Sequence, residues 1–443
     1  MVRFSPRSFR LAVAVLATCV AASIAVPIAS AEPPARGRDG EGIQSVTAVT
    51  DIYAFGQKVA AVAIEYAADV NPRTLDLNTF TVADTIYNFR FNPITDLPTL
   101  ANRTVTRIYT NDEPALDPDG ASSRGRYVIV ELDPSDPGGN TVIVSRCPTF
   151  LCSVKINPDL LTQVVQNEDV YAQPGKGIGW GPLLARATPT AHPLTASTIN
   201  LHADEFVHDT FVQNGSTLPY AYFIPDDYDP SRAYPVVVIL PGHGMGFDGD
   251  NEGVQVAADI PATAWLRPEW TGTDEDVIVL APQNPRVGVA AEAAIMVALV
   301  ESFMQTYSID PERVYASTVS YGSTTAWQAM ATTRPGLFSA ALITGGFAVS
   351  ATQAASIAAD RTPIWITHGT NDHLLNVAST GRLSRDRLRS AYVAAGVDPA
   401  AVNDLVRYTE YGNDAFSQPD YHLAAAPTYE DESILQWLLA QEH

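Results

Sequence analysis

Cysteine is scarce in this 443-residue chain. Cys19, Cys147 and Cys152 are the three present, and none lies between residues 181 and 443. A thiol nucleophile is therefore excluded from that part of the chain. Positive charge is also in short supply, with 27 Lys and Arg against 49 Asp and Glu, a formal net charge of −22. Nucleic acid and anionic membrane surfaces both call for clustered positive charge, so neither is expected as a partner. Charged residues of both signs reach only 17% and hydrophobic ones 46%. That balance excludes disorder as the default and suits a well-buried globular protein long enough for two or three domains.

Signatures of bound ions and nucleotides are lacking as well. "FDGDNEG" (Phe247–Gly253) holds Asp248, Asp250 and Glu252 without the spacing of a calcium loop. "HADEFVH" sets His202 and His208 at a spacing that no metal motif uses, and the glycines of "GKGIGWG" match no phosphate-binding pattern. No metal and no cofactor are expected.

One long apolar run is present, at the start. It extends from Leu11 to Ile28, follows Arg3, Arg7 and Arg10, and leads into Ala29-Ser30-Ala31, the A-x-A pattern read by signal peptidase. Pro27 and the small-residue exit favour cleavage near Ala31 over a membrane anchor, and Leu16-Ala17-Thr18 before Cys19 makes a poor lipoprotein box. Residues 1–31 are thus expected to be a signal peptide and the mature protein to be secreted; losing three arginines takes the net charge from −22 to −25. No later stretch reads as a bilayer span, so no stable membrane association is expected. In an oxidising compartment Cys147 and Cys152 of "CPTFLC" are expected to form a small-loop disulfide.

Two rhythms divide the rest. From about 42 to 175, short β-rich runs such as "KVAAVAIEY", "FTVAD", "RTVTRIYT" and "RGRYVIVEL" are broken by turn clusters, the spacing of an all-β sandwich. Residues 176–198, with "ARATPTAHPLTAS", read as a linker. From 199 to 443, apolar strands ("YPVVVILPG", "DVIVLAPQ", "RVYAST", "SAALITGG", "TPIWITHG") alternate with helical segments such as Ala290–Gln305. That alternation predicts a mostly parallel sheet flanked by helices.

Within the second region, "RVYASTVSYGSTTAW" (Arg313–Trp327) joins a buried-strand pattern to a helical one, with three serines at the junction. A nucleophile elbow needs small residues two positions either side of its serine, because strand and helix nearly collide there. Ser317 has Val319 two positions on and Ser323 has Tyr321 two positions back. Ser320 has Gly322 at plus two, although Thr318 stands at minus two where glycine is usual. The alternative is a Ser-rich helix N-terminus with Ser320 as a cap.

A serine nucleophile needs a base, and the base needs an acid. "TPIWITHGTNDHLL" exits an apolar strand into Asp372, where open α/β sheets gather catalytic groups. His422 in "QPDYHLAAAP" follows the acid, in a loop before the last helical segment. His443 is the last residue, His373 adjoins Asp372 too closely to partner it, and His368 is expected to order the acid loop. The Gly-rich turn closing "VVVILPGHGMG" can present backbone N–H groups, so those of His243 and Tyr321 are the expected oxyanion donors.

Taken in order, "YPVVVILPGHG", "APQNP", "YSIDPERVYASTVSYGSTTAW", "RPGLFSAALITGG", "IWITHGTNDHLL" and "YHLAAAPTYEDESILQWL" span most of residues 217–440. This part resembles secreted α/β-hydrolase esterases related to prolyl-oligopeptidase-like serine hydrolases, and "RTVTRIYTN" and "GRYVIVELDP" resemble the immunoglobulin-like (Ig-like) domain that such esterases carry. The resemblance implies an Ig-like β-sandwich over 42–175 and an α/β-hydrolase domain over 199–443. It also implies Ser320 as nucleophile, Asp372 as acid, His422 as base, and the backbones of His243 and Tyr321 as oxyanion hole. Pro241, where the family commonly has His, and Thr318 depart from the pattern.

The expected function is cleavage of carboxylic esters, small or polymeric, through an acyl-enzyme. A prolyl-oligopeptidase-type peptidase and a polyester or aryl (feruloyl-like) esterase are alternatives, with a non-catalytic binding protein a further one. Oligomeric state is not legible.

Overall fold

The computed structural model describes residues 42–86, 99–144, 155–156, 159–175, 179–245, 253–258, 260–416 and 420–443. The expected signal peptide (1–31) and the Cys147–Cys152 pair lie outside the described residues.

The N-terminal part is a sandwich of two sheets. One has the order Ile199–Asn200, Ser45–Tyr53, Gly56–Glu65, Tyr127–Leu132, Val105–Asn111; the other runs Thr188–Pro193, Gln163–Gln166, Phe80–Ile86, Thr99–Asn102. Alternate residues such as Val46, Ala48, Val62, Ile64, Val128 and Val130 meet Phe80, Val82 and Val164 in the core between them. The stretch expected as a linker, 176–198, departs from that reading. Leu183–Ala185 pairs with Val170–Tyr171, and Thr188–Pro193 pairs with Gln163–Gln166. Ile199–Asn200, placed in the second domain by sequence, pairs in parallel with Val49 and Thr50. Thr188–Pro193 is largely exposed and carries two prolines. Such an edge strand has no alternating apolar pattern by which to be read.

The C-terminal part is built on eight strands: β1 (Val207–Gln213), β2 (Ser216–Phe223), β3 (Tyr234–Leu240), β4 (Ile278–Pro282), β5 (Ile309–Val319), β6 (Ala340–Thr344), β7 (Ile364–Gly369) and β8 (Val406–Tyr411). Their spatial order is β1-β2-β4-β3-β5-β6-β7-β8. The first two strands are antiparallel to their neighbours, and β3 to β8 are mutually parallel. All seven residues of β3 are buried, as a strand covered on both faces requires. Val236, Val238 and Leu240 pack under helices α1 (Val289–Thr306), α2 (Gly322–Gln328), α3 (Ala351–Asp360) and α4 (Gly381–Ala394). Val237 and Ile239 face the other way, toward Trp265 and α5 (Glu432–Leu439). By length and composition α1 could cross a membrane. Here its Ile295, Met296, Leu299, Val300 and Phe303 face the sheet as core.

The sandwich is tied to the sheet domain. Ile52 joins the core cluster of Val237 and Trp265, and the guanidinium of Arg267 donates to Asp51 (2.8 Å) and to the carbonyl of Ile52 (3.0 Å). Val142 of the sandwich packs with Met245, just past the end of β3.

Candidate active site

Ser320 stands between β5 and α2 with φ +51°, a left-handed conformation that a serine adopts only where the surroundings hold it. Its N–H donates to Thr344 O (2.9 Å), locking the turn to β6. A Cβ on Gly322 would sit 2.0 Å from Leu240 O, so this position admits only glycine. Thr318 is fully buried between Leu240 and Ile343, and its hydroxyl has no hydrogen-bond partner. The turn thus accommodates a β-branched residue where glycine is usual.

The other two serines have structural partners. Ser317 Oγ meets Tyr429 OH at 2.5 Å inside the core. Ser323 Oγ donates to Ser320 O (2.7 Å) and accepts from Phe347 N–H (2.8 Å).

Asp372 follows β7 and its side chain is fully buried. Burial pushes its carboxyl up, but hydrogen bonds from His368 and His422, with the charge of His422 and the N–H of Leu375, outweigh burial and hold it well below the usual carboxylate range. Oδ1 accepts from the N–H groups of Leu374 and Leu375 (both 2.8 Å). Oδ2 lies 2.7 Å from His422 Nδ1. An ionised carboxylate only accepts, so Nδ1 carries the proton and Nε2 is left as an acceptor. That Nε2 is 3.0 Å from Ser320 Oγ.

The His422 loop approaches the sheet through glycines. A Cβ at Gly369 would lie 2.2 Å from Tyr421 O, and one at Gly345, where φ is +53°, would lie 3.3 Å from His422 O. His373 is half-exposed and 3.8 Å from Asp420, away from this chain of contacts. Ser320, His422 and Asp372 are therefore brought together across three loops at the carboxyl ends of parallel strands.

His243 begins a short 3-10 turn after β3, and Tyr321 is the N-cap of α2. The first N–H groups of a helical turn have no acceptor within it. The two rings meet edge to face, with centroids 5.6 Å apart. Tyr321 also meets Phe347 edge to face at 6.4 Å. Burial, then the charge of Glu292, raises the Tyr321 phenol to about 12, so it stays protonated. Phe347 is 37% exposed, although its backbone is held by Ser323 and by Trp327 Nε1 donating to Phe347 O (3.0 Å). Sequence reasoning missed Phe347 and Glu292, since neither lies in a motif. Among the described residues no His, Cys, Asp and Glu group could hold a metal ion.

A buried serine–histidine–aspartate chain at the strand ends of this eight-stranded sheet defines the class: an α/β-hydrolase fold preceded by an Ig-like sandwich. Residues 45–179 match the family model described as the esterase Ig-like N-terminal domain. Over 90% of its length the chain is similar to a solved thermostable esterase, at 26% identity and a TM-score of 0.73, covering 100% of that protein. It is also similar to a ferulic acid esterase from Anaeromyces mucronatus, at 15% identity and a TM-score of 0.39, over 53% of this chain and 91% of that one. None of the curated proteins matches. The matching domain and the full-length likeness support a carboxylic-ester hydrolase.

Proposed function

We propose that the chain is a secreted serine esterase in which Ser320 is the nucleophile, His422 the general base and Asp372 the acid. The observation that carries this reading is the continuous contact from Ser320 Oγ through His422 to Asp372, at 3.0 and 2.7 Å. Ser320 Oγ attacks the ester carbonyl while His422 Nε2 takes its proton; the backbone N–H groups of Tyr321 and His243 receive the oxyanion. Collapse expels the alcohol, which takes the proton back from His422, and leaves an acyl group on Ser320. Water, activated by the same imidazole, then releases the acid.

Secretion rests on the signal pattern of residues 1–31, and the cysteines of "CPTFLC" are proposed to pair after export. The proposed domain layout is a sandwich that runs from residue 42 through the strand Ile199–Asn200, and a catalytic domain whose sheet begins at Val207.

The exposed Phe347 ring, edge-on to Tyr321 beside the nucleophile, favours esters with an apolar or aryl group over peptides. The test is a series of p-nitrophenyl esters of increasing acyl length alongside Xaa-Pro anilides, with wild type and Phe347→Ala. Wild type is expected to cleave esters, and the variant to lose about 5- to 20-fold in kcat/KM on its best ester, as expected for one lost apolar contact. Cleavage of the anilides without the esters would make the protein a peptidase. Turnover of neither would favour a binding protein.

A further inference from the structure

We infer that His368 is a positioning residue for Asp372, holding the carboxylate oxygen that meets His422 in the one orientation the site uses. This rests on the reading of Ser320, His422 and Asp372 given above.

His368 is the penultimate residue of β7 and is fully buried. Its Nε2 lies 3.0 Å from Leu375 O and 3.2 Å from Asp372 Oδ2. Both neighbours are acceptors, so the ring proton belongs on Nε2, shared between them. Nδ1, by contrast, is buried with no hydrogen-bond partner. The ring is held in this pose by the start of α4. A Cβ at Gly381 would come within 3.0 Å of Nδ1 and 3.1 Å of the His368 Cβ and Cγ. Glycine there lets the first residue of α4 lie close to the imidazole.

The consequence falls on Asp372. Its Oδ1 is occupied by two backbone donors, and its Oδ2 receives both His422 and His368. The carboxylate therefore has four donors and one orientation, with the Oδ2 that meets His422 fixed from behind. Removing the His368 donor frees Oδ2 to turn away from His422 Nδ1, so the imidazole is held less firmly in the tautomer that accepts from Ser320.

The other charged groups around His368 do not substitute for it. Its register neighbour on β8, Glu410, is engaged by Arg382, Tyr408 and Thr370. On α4 and the preceding loop, Thr380 Oγ1 lies 3.5 Å from Nε2. His373 turns outward toward Asp420.

The test is kcat and KM measured separately on a p-nitrophenyl ester for the full chain, with active sites counted by fluorophosphonate titration. His368→Leu removes the donor within the available space. It is expected to lower kcat per labelled site by about 10- to 100-fold, the loss typical of one hydrogen bond to a charged group. KM should change little. His368→Gln, whose amide can donate, should restore most of kcat. Gly381→Ala crowds the imidazole, which must give by a few tenths of an ångström, and should lower kcat per labelled site in the same direction but by less. It decides the matter if His368→Leu does not fold. A kcat per labelled site unchanged in these variants would overturn the inference, even if melting temperature fell, because a merely structural role moves only stability. A wild-type protein that takes no label would overturn the serine-hydrolase reading and this inference together.

Discussion

Ser320→Ala is expected to lower kcat on a p-nitrophenyl ester by about 10⁴-fold or more, with KM little changed. The hydroxyl is the atom that forms the acyl bond, and no neighbour replaces it. Ser317 Oγ is buried against Tyr429, and Ser323 Oγ is committed to Ser320 O and Phe347 N–H. What remains should be the acceleration that oxyanion donors and substrate binding give to attack by water. The fold should survive. The side chain's hydrogen bond is to His422 Nε2, while the backbone of residue 320 is held by Thr344 O, which alanine leaves intact. Wild-type turnover in a folded Ser320→Ala protein would remove Ser320 from the chemistry.

Asp372→Asn should cost about 10³- to 10⁴-fold in kcat for a reason that lies in its hydrogen bonds. The N–H groups of Leu374 and Leu375 both point at Oδ1, so they claim the amide oxygen of an asparagine. Its NH₂ must then take the place of Oδ2 and face His422 Nδ1 and His368 Nε2. A donor facing Nδ1 drives the imidazole proton to Nε2, the atom that meets Ser320. The base is then presented in the tautomer that cannot accept. Adding pH resolves the electrostatic part. The folded protein holds the Asp372 carboxyl below the usual carboxylate range, whereas unfolded it titrates near about 3.9. A depressed folded value contributes stability that is fully present above the unfolded value and is lost as pH falls through the folded one. Denaturant titrations should therefore find Asp372→Asn less stable than wild type at neutral pH, with the gap narrowing in acid below about pH 4.

Much of the site was legible because each member sits where an apolar strand stops. "RVYAST" before "GSTTAW" marks an elbow, and the small-residue requirement selects Ser320 from its neighbours; the Gly322 contact with Leu240 O is the physical form of that requirement. Asp372 and His422 followed from chain order, and their contacts at 2.7 and 3.0 Å came only with the folded loops. The sequence suggested that His368 orders the acid loop. Its shared Nε2 proton and its packing on Gly381 depend on where α4 begins against β7, which no local pattern encodes.

The sandwich was less legible at its margins. Ser45–Tyr53 buries residues on both faces, Val46 and Ala48 toward one cluster and Val49 toward another, so it lacks the alternation of a half-buried strand. Thr188–Pro193 fails in the opposite sense, being too polar and too rich in proline to read as a strand. Phe347 was invisible for a third reason. It is an exposed aromatic after two glycines, and its relevance comes from Ser323, which ties its N–H to the backbone of Ser320.

Reaction of the folded protein with a fluorophosphonate, followed by mass spectrometry of its peptides, tests the central claim most directly. The expected result is one adduct per chain, on Ser320, with loss of ester hydrolysis in proportion to labelling. An unlabelled but folded and active protein, or an adduct on Ser317 or Ser323 in place of Ser320, would contradict it.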